Sequence, residues 1–194
     1  MGHSLRERMG YGVPYKKAID SEVIQHCFNV GEYTKSFAKY IGFSNCEVEL
    51  FKLAAIQHDL GKMDCDPKIL LKPGLLNKKE RKHVNEHVIH SFNRAVDLEQ
   101  PCFSVLESIF FHHENYDGTG YPYKLKGSEI PIGARIIRIC DYYDALTTDR
   151  SYKKAMTTSE ALKIMKDNEN CFDPELIKIF YNYISLYNLE NESA

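Results

Sequence analysis

Apolar or small residues return at Val23, Cys27, Val30, Thr34, Phe37, Ala38 and Ile41, intervals of three and four that predict an amphipathic helix. Asp20 is a good N-cap for it, and Gly42 a good terminator. Ser44 and Glu47, at capping-box spacing, open a second helix through Val48, Phe51, Ala55 and Ile56 that stops at Gly61. Residues 64–77, with Pro67 and the Lys72-Pro73-Gly74 turn, read as loop or short turns. Helix resumes over 78–98 behind a charged start, read as a solvated face, and again over 101–114. A glycine-rich loop covers 116–127. Pro131 opens a helix through Ile136, Ile139, Cys140, Tyr143 and Leu146. Thr157 with Glu160 caps another, and Asp173-Pro174 starts a last one through Leu176, Ile177, Phe180 and Ile184. Nothing alternates like a strand and nothing repeats. The expectation is an all-α domain of about seven helices over 20–187, with 1–19 as an extension or linker and 188–194 as a tail.

Composition narrows the class. Of 194 residues, 43% are apolar and 27% charged, an ordinary globular mix, so the chain buries enough surface to fold without a structural metal or disulfide. A net charge of −2 leaves no overall footprint for a nucleic acid polymer or an anionic membrane. No apolar run approaches a membrane span, and the first twelve residues lack the apolar core of a signal peptide. The six cysteines form no C-x-x-C pair and read as reduced thiols of a cytoplasmic protein, with Cys27 and Cys140 as small core residues. Any metal must therefore serve function.

The ionisable residues give a reason to expect one. Glu22 and His26 share a face of the first helix, His58-Asp59 closes the second with Lys62 just beyond, and His83, His87 and His90 share a face of the third. His112-His113-Glu114 precedes the glycine loop, and Asp141 stands between apolar neighbours, where it is costly to bury without a cation or hydrogen-bond partners. Nitrogen and carboxylate donors without thiolate suit iron, manganese or zinc. Singly, a histidine on a helix is more often a surface or satisfied core residue than a ligand.

His58-Asp59-x-Gly61-Lys62, followed by His112-His113-Glu114-x-x-Asp117-Gly118-x-Gly120-Tyr121-Pro122, resembles an HD-GYP domain of the HD phosphohydrolase superfamily, which includes cyclic di-GMP phosphodiesterases. Lys72-Pro73-Gly74, Arg135-Ile136-Ile137, Asp144-Ala145-Leu146 with Arg150 and Tyr152, and Phe172-Asp173-Pro174 match in order, so the likeness covers about 20–184. It implies a two- or three-metal centre, iron or manganese, on His26, His58, Asp59, His87, His112, His113 and Asp141, with Asp59 bridging. Glu22 stands where three-metal members carry a ligand, or is a residue that merely favours the helix dipole. Among the three same-face histidines the likeness selects His87, leaving His83 and His90 outside the ligand set.

The implied reaction is hydrolysis of cyclic di-GMP to pGpG, with possible continuation to GMP, by in-line attack of a metal-bridging hydroxide. Lys62 would stabilise phosphate charge, or else neutralise a helix C-terminus. Arg150 and Lys153 match positions that grip phosphates and read equally as surface charges. Gly120, Tyr121 and Pro122 would shape the substrate site, and the 116–122 loop is a suggested contact for a GGDEF-type cyclase domain. The alternatives are a hydrolase for another nucleotide such as cyclic GMP-AMP, and a non-hydrolytic receptor acting through protein contacts. The chain departs from the pattern at Asn29 and Asn115, where arginine is common, and at Val88 and Ser91, where proline and glycine are usual.

Overall fold

A computed structural model of the chain describes residues 13–97, 102–149 and 154–191, and among these it is all helix, turn and loop, with no strand. The α-helices are α1 (Val13–Ile41), α2 (Asn45–Gln57), α3 (Pro67–Leu70, a single turn), α4 (Lys78–Asn85), α5 (His87–Val96), α6 (Phe103–Phe111), α7 (Ile132–Thr147), α8 (Thr158–Asp167) and α9 (Pro174–Asn191). Short 3-10 turns occupy Leu60–Asp64, Gly127–Glu129 and Glu169–Cys171. None of the described helices is long and apolar enough to cross a membrane.

Local chemistry sets most helix starts. Ser44 and Glu47 form a full capping box on α2, as do Thr157 and Glu160 on α8 and Asn77 and Glu80 on α4. Asp173 Oδ1 accepts the N–H groups of Glu175 and Leu176 at the head of α9.

Three expectations change. Helix α1 runs unbroken from Val13, so Asp20 is an interior residue and the helix crosses the expected boundary at 19/20; a single good N-cap residue does not stop a helix that already has its hydrogen bonds. The helix expected over 78–98 is two, parted at Glu86. The helix expected to reach 114 ends at Phe111 with His112 as its cap.

Helix α7 is the axis of the fold, burying Ile136, Ile137, Ile139, Cys140 and Tyr143 together with two aspartates, Asp141 and Asp144. Helices α1 and α6 pack along it and α2 packs against both. Helix α9 closes the core through aromatic contacts: Phe180 meets Phe37 of α1 at 5.0 Å and Tyr143 of α7 at 5.5 Å between ring centroids. The turn at Leu60–Asp64 lies on α5. There Gly61 is obligatory: a Cβ would come to 2.2 Å of His87 O and 2.5 Å of Ser91 N, backbone atoms that have no room to yield. The Gly61 N–H donates to Ser91 Oγ at 2.8 Å, so the serine that departs from the usual glycine secures the contact. This contact carries Asp59 to His87.

Candidate metal centre

Two groups of donors meet at one carboxylate. His26, His58, Asp59 and Asp141 form the first; Asp59, His87, His112 and His113 form the second; within each, the ligand atoms lie within 4.8 Å of one another. Asp59 turns Oδ2 toward His26 Nε2 (3.4 Å) and His58 Nε2 (3.5 Å), and Oδ1 toward His87 Nε2 (3.1 Å) and His112 Nε2 (3.7 Å). Asp141 Oδ1 lies 3.0 Å from His26 Nε2 and 3.8 Å from His58 Nε2. His26, His58, Asp59, His87, His112 and Asp141 are all buried.

The tautomers show what this cluster is for. His58 Nδ1 donates to Ala55 O at 2.7 Å, His87 Nδ1 to Val84 O at 2.7 Å and His112 Nδ1 to Ile109 O at 2.6 Å. Each acceptor sits in the last turn of the helix that precedes its histidine, α2, α4 and α6, where backbone carbonyls lack intrahelical partners. With Nδ1 spent outward, the Nε2 atoms of His87 and His112 present lone pairs inward, and that of His58 is turned toward Asp59 and Asp141. His87 Nε2 and His112 Nε2 then face each other at 3.4 Å, and His58 Nε2 and Asp59 Oδ1 make no well-formed hydrogen bond although buried. Lone pairs converging in a buried space repel unless a cation lies among them. The donor set therefore fits divalent metal.

His26 lies in mid-helix, where its own backbone offers no spare carbonyl. Its Nδ1 donates instead to Asp144 Oδ2 at 2.6 Å, and Asp144 Oδ1 accepts from Thr148 Oγ1 at 2.7 Å. Asp144 is fully buried. The spacing Asp141-x-x-Asp144 on a helix with apolar neighbours carries this signal in the sequence, but its partner lies 118 residues away.

Charge is shared unevenly. Burial works against a charged His26, yet hydrogen bonds to Asp141, Asp144 and Asp59 lift its pKa to about 10. His58, also opposed by burial, is raised by Asp59 and Asp141. Burial and the neighbouring His58 and His87 push His112 down to about 4; burial, His112 and His87 lower His113 as well. Burial resists ionisation of Asp59 and Asp141, but Lys62 and His58 hold the first, and His26 and His58 the second, well below the usual carboxylate range. Lys62 Nζ pairs directly with Asp59 Oδ2.

The 116–127 loop walls the second donor group. Gly120 packs where a Cβ would come to 2.3 Å of Asn115 N and 2.5 Å of His113 O, and Tyr121 N–H donates to His113 O. That seats the Tyr121 ring on the His113 ring, centroids 4.8 Å apart and planes 27° apart. Buried Glu114 pins the far side by accepting from the N–H groups of Tyr123, Lys124 and Leu125 at 2.7, 3.0 and 3.1 Å. Its role was not assigned from sequence, though its place directly after the two histidines is the clue. Pro122 is exposed and follows a cis bond.

Seven of the expected ligands thus come together, and Glu22 does not: it is exposed one turn before His26 and belongs to neither donor group. His83 and His90 also lie outside both groups; His83 Nε2 accepts from Asp66 N–H. Arg150 and Lys153 lie outside the described residues.

A profile of the HD domain family matches residues 13–176. The chain belongs to the HD domain family. A cyclic di-GMP phosphodiesterase from Pseudomonas aeruginosa is 33% identical over 171 residues, 88% of this chain and 41% of that protein. A 3'3'-cGAMP-specific phosphodiesterase from Vibrio cholerae is 36% identical over 151 residues, 77% of this chain and 33% of that protein. This HD domain therefore spans less than half the length of the curated relatives it matches. Among solved structures, the HD domain of the L. monocytogenes phosphodiesterase PgpH shares the fold, with a TM-score of 0.60 at 18% identity over 94% of this chain and 100% of that one.

Proposed function

We propose that this HD domain is a metal-dependent phosphodiesterase that opens cyclic di-GMP to linear pGpG. The observation that supports it best is Asp59, one carboxylate divided between two inward-facing imidazole groups. Its ligands would be His26, His58 and Asp141 on one side and His87, His112 and His113 on the other. Iron or manganese fits these nitrogen and oxygen donors. Divalent cations there supply Lewis acidity toward water and toward phosphate oxygens. The protein's own part is positional and electrostatic. Asp59 and Asp141 stay ionised, and His112 and His113 stay neutral near pH 7. Lys62, already paired with Asp59, places a compact cation where phosphate charge develops. Tyr121 and Gly120 close the wall against which the nucleotide lies. The loop's contacts run inward to Glu114 and His113, so no cyclase partner is proposed for it.

Cyclic GMP-AMP is the second reading, favoured by the 36% identity to a relative specific for it. The test is anaerobically purified protein, loaded with Mn²⁺ or Fe²⁺ and assayed against both dinucleotides. Turnover of cyclic di-GMP with pGpG as first product is expected. Product from cyclic GMP-AMP alone selects the second reading, and metal-loaded protein that binds a dinucleotide without turnover makes the domain a receptor.

A further inference from the structure

Arg138 stands on α7 one turn before Asp141, and the proposed chemistry gives it no part. Its Nε donates to Asn115 Oδ1 at 3.0 Å, and its Cζ lies 5.4 Å from the centroid of the Tyr142 ring. Its Nη1 is 4.0 Å from Asp141 Oδ2, too far for a hydrogen bond. The side chain is only 16% exposed. Asn115 and Tyr142, not Asp141, are thus what hold the guanidinium, which lies between the first donor group and the start of the glycine loop. It is close enough for its charge to act on both His113 and Tyr121.

Such a placement is costly for metal binding alone. A fixed positive charge beside Asp141 opposes the loading of divalent cations on that carboxylate. The opposition turns to advantage once an anion sits among them. A guanidinium offers a planar set of five donors that matches phosphate bidentately, and with Nε tied to Asn115 the plane of that fork is set in advance. We propose that Arg138 is a substrate-binding residue that grips a phosphate oxygen beside Asp141, with Asn115 and Tyr142 as its mounts. The cation lacking at position 115 is supplied here from the neighbouring helix. The proposal rests on the phosphodiesterase reading for the identity of its ligand, but not for its test.

The test uses Mn²⁺-loaded protein titrated with inorganic phosphate by calorimetry, followed by steady-state kinetics on cyclic di-GMP. Arg138→Ala should weaken phosphate binding by about tenfold or more, the loss expected for one charge-assisted contact, and raise KM by a similar factor with the greater part of the effect in KM. Metal content should not fall below the wild-type level. Arg138→Gln keeps an N–H for Asn115 and length to lie on Tyr142 but loses the charge. It should behave like Arg138→Ala, while Arg138→Lys recovers part of the affinity. Wild-type phosphate affinity in Arg138→Ala, or full recovery by Arg138→Gln, overturns the proposal in favour of a scaffold role. If wild-type protein leaves cyclic di-GMP intact, the substrate reading falls, and the phosphate titration still decides Arg138.

Discussion

Asp144→Asn isolates His26, the one histidine of the first donor group that its own stretch of chain does not orient. His26 Nδ1 and Asp144 Oδ2 are 2.6 Å apart in a buried setting, a charge-assisted hydrogen bond worth about 1.5–3 kcal/mol. The amide has the same shape, and its oxygen still accepts from Nδ1–H, but as a neutral bond worth about 1 kcal/mol. The difference, roughly 0.5–2 kcal/mol, corresponds to about a 2- to 30-fold loss in metal affinity, whose upper part overlaps the roughly 10- to 100-fold usual for groups that orient a metal-bound histidine. Folding should change little, because Thr148 Oγ1, now 2.7 Å from Asp144 Oδ1, is able to turn from donor to acceptor for the new N–H₂. Mn²⁺ affinity is read by competition with a chromophoric chelator, and Tm by thermal melting. Wild-type affinity in a folded Asp144→Asn protein would refute the reasoning, since His26 would then need no outside partner.

Gly61→Ala should lower Tm by roughly 2–12 °C, the effect of about 1–3 kcal/mol of overpacking in a chain this size, because the added methyl meets His87 O and Ser91 N; a melt within a degree of wild type would show that the turn adapts freely. Asp59→Ala should abolish turnover while circular dichroism stays helical, and near-normal activity would remove the bridging role. Glu114→Gln replaces a carboxylate that accepts three backbone N–H groups; substrate KM should rise several-fold, about 1 kcal/mol of lost loop order, and proteolysis within 116–127 should quicken. His26, with its pKa raised to about 10, carries a proton at pH 7 that a metal must displace. Metal affinity should therefore climb as pH rises from 6 to 8, and a flat profile in the chelator assay would count against that protonation state.

How much of this was legible in the chain follows from the range of each interaction. Helix starts that depend on a residue and its third neighbour, Ser44 with Glu47 and Thr157 with Glu160, are read directly because the capping box is complete within four residues. Asp20 does not mark the start of α1, although it is as good a cap in isolation as those residues, because the preceding turns, beginning at Val13, already carry the helix. The break at Glu86 was hidden because Val84, Val88, Ser91 and Ala95 keep a helical interval across it. Part of its cause is tertiary, Gly61 pressed on the first turn of α5, and part is a side-chain contact no apolar interval reveals, the His87 ring taking Val84 O. The same holds at the centre. The His-Asp and His-His-Glu motifs mark which residues to watch, whereas Asp144 facing His26 and Arg138 reaching Asn115 depend on how α7 lies against α1 and the loop. No local pattern carries those pairings.

The arrangement of partners divides the site into two kinds of ligand. His58, His87 and His112 each take a carbonyl three residues back in the last turn of a helix, so each ring is aimed by its own stretch of chain before any helix packs on another. Bringing their Nε2 atoms together then needs only that α2, α5 and α6 meet, which the core enforces. His26 and Asp141 are interior to long helices whose carbonyls are committed, so their orientation exists only once α1 lies on α7 and Asp144 reaches His26. His87 and His112 of the second donor group, and His58 of the first, are therefore aimed locally, whereas His26 and Asp141 of the first depend on tertiary packing. A perturbation that loosens α1 from α7, such as truncation of the Phe37 ring that meets Phe180 of α9, should weaken metal held by His26 and Asp141 before it disturbs metal held by His87 and His112. Two metal-binding transitions that separate in Phe37→Leu but coincide in the wild type would show that division, and transitions shifted equally would deny it.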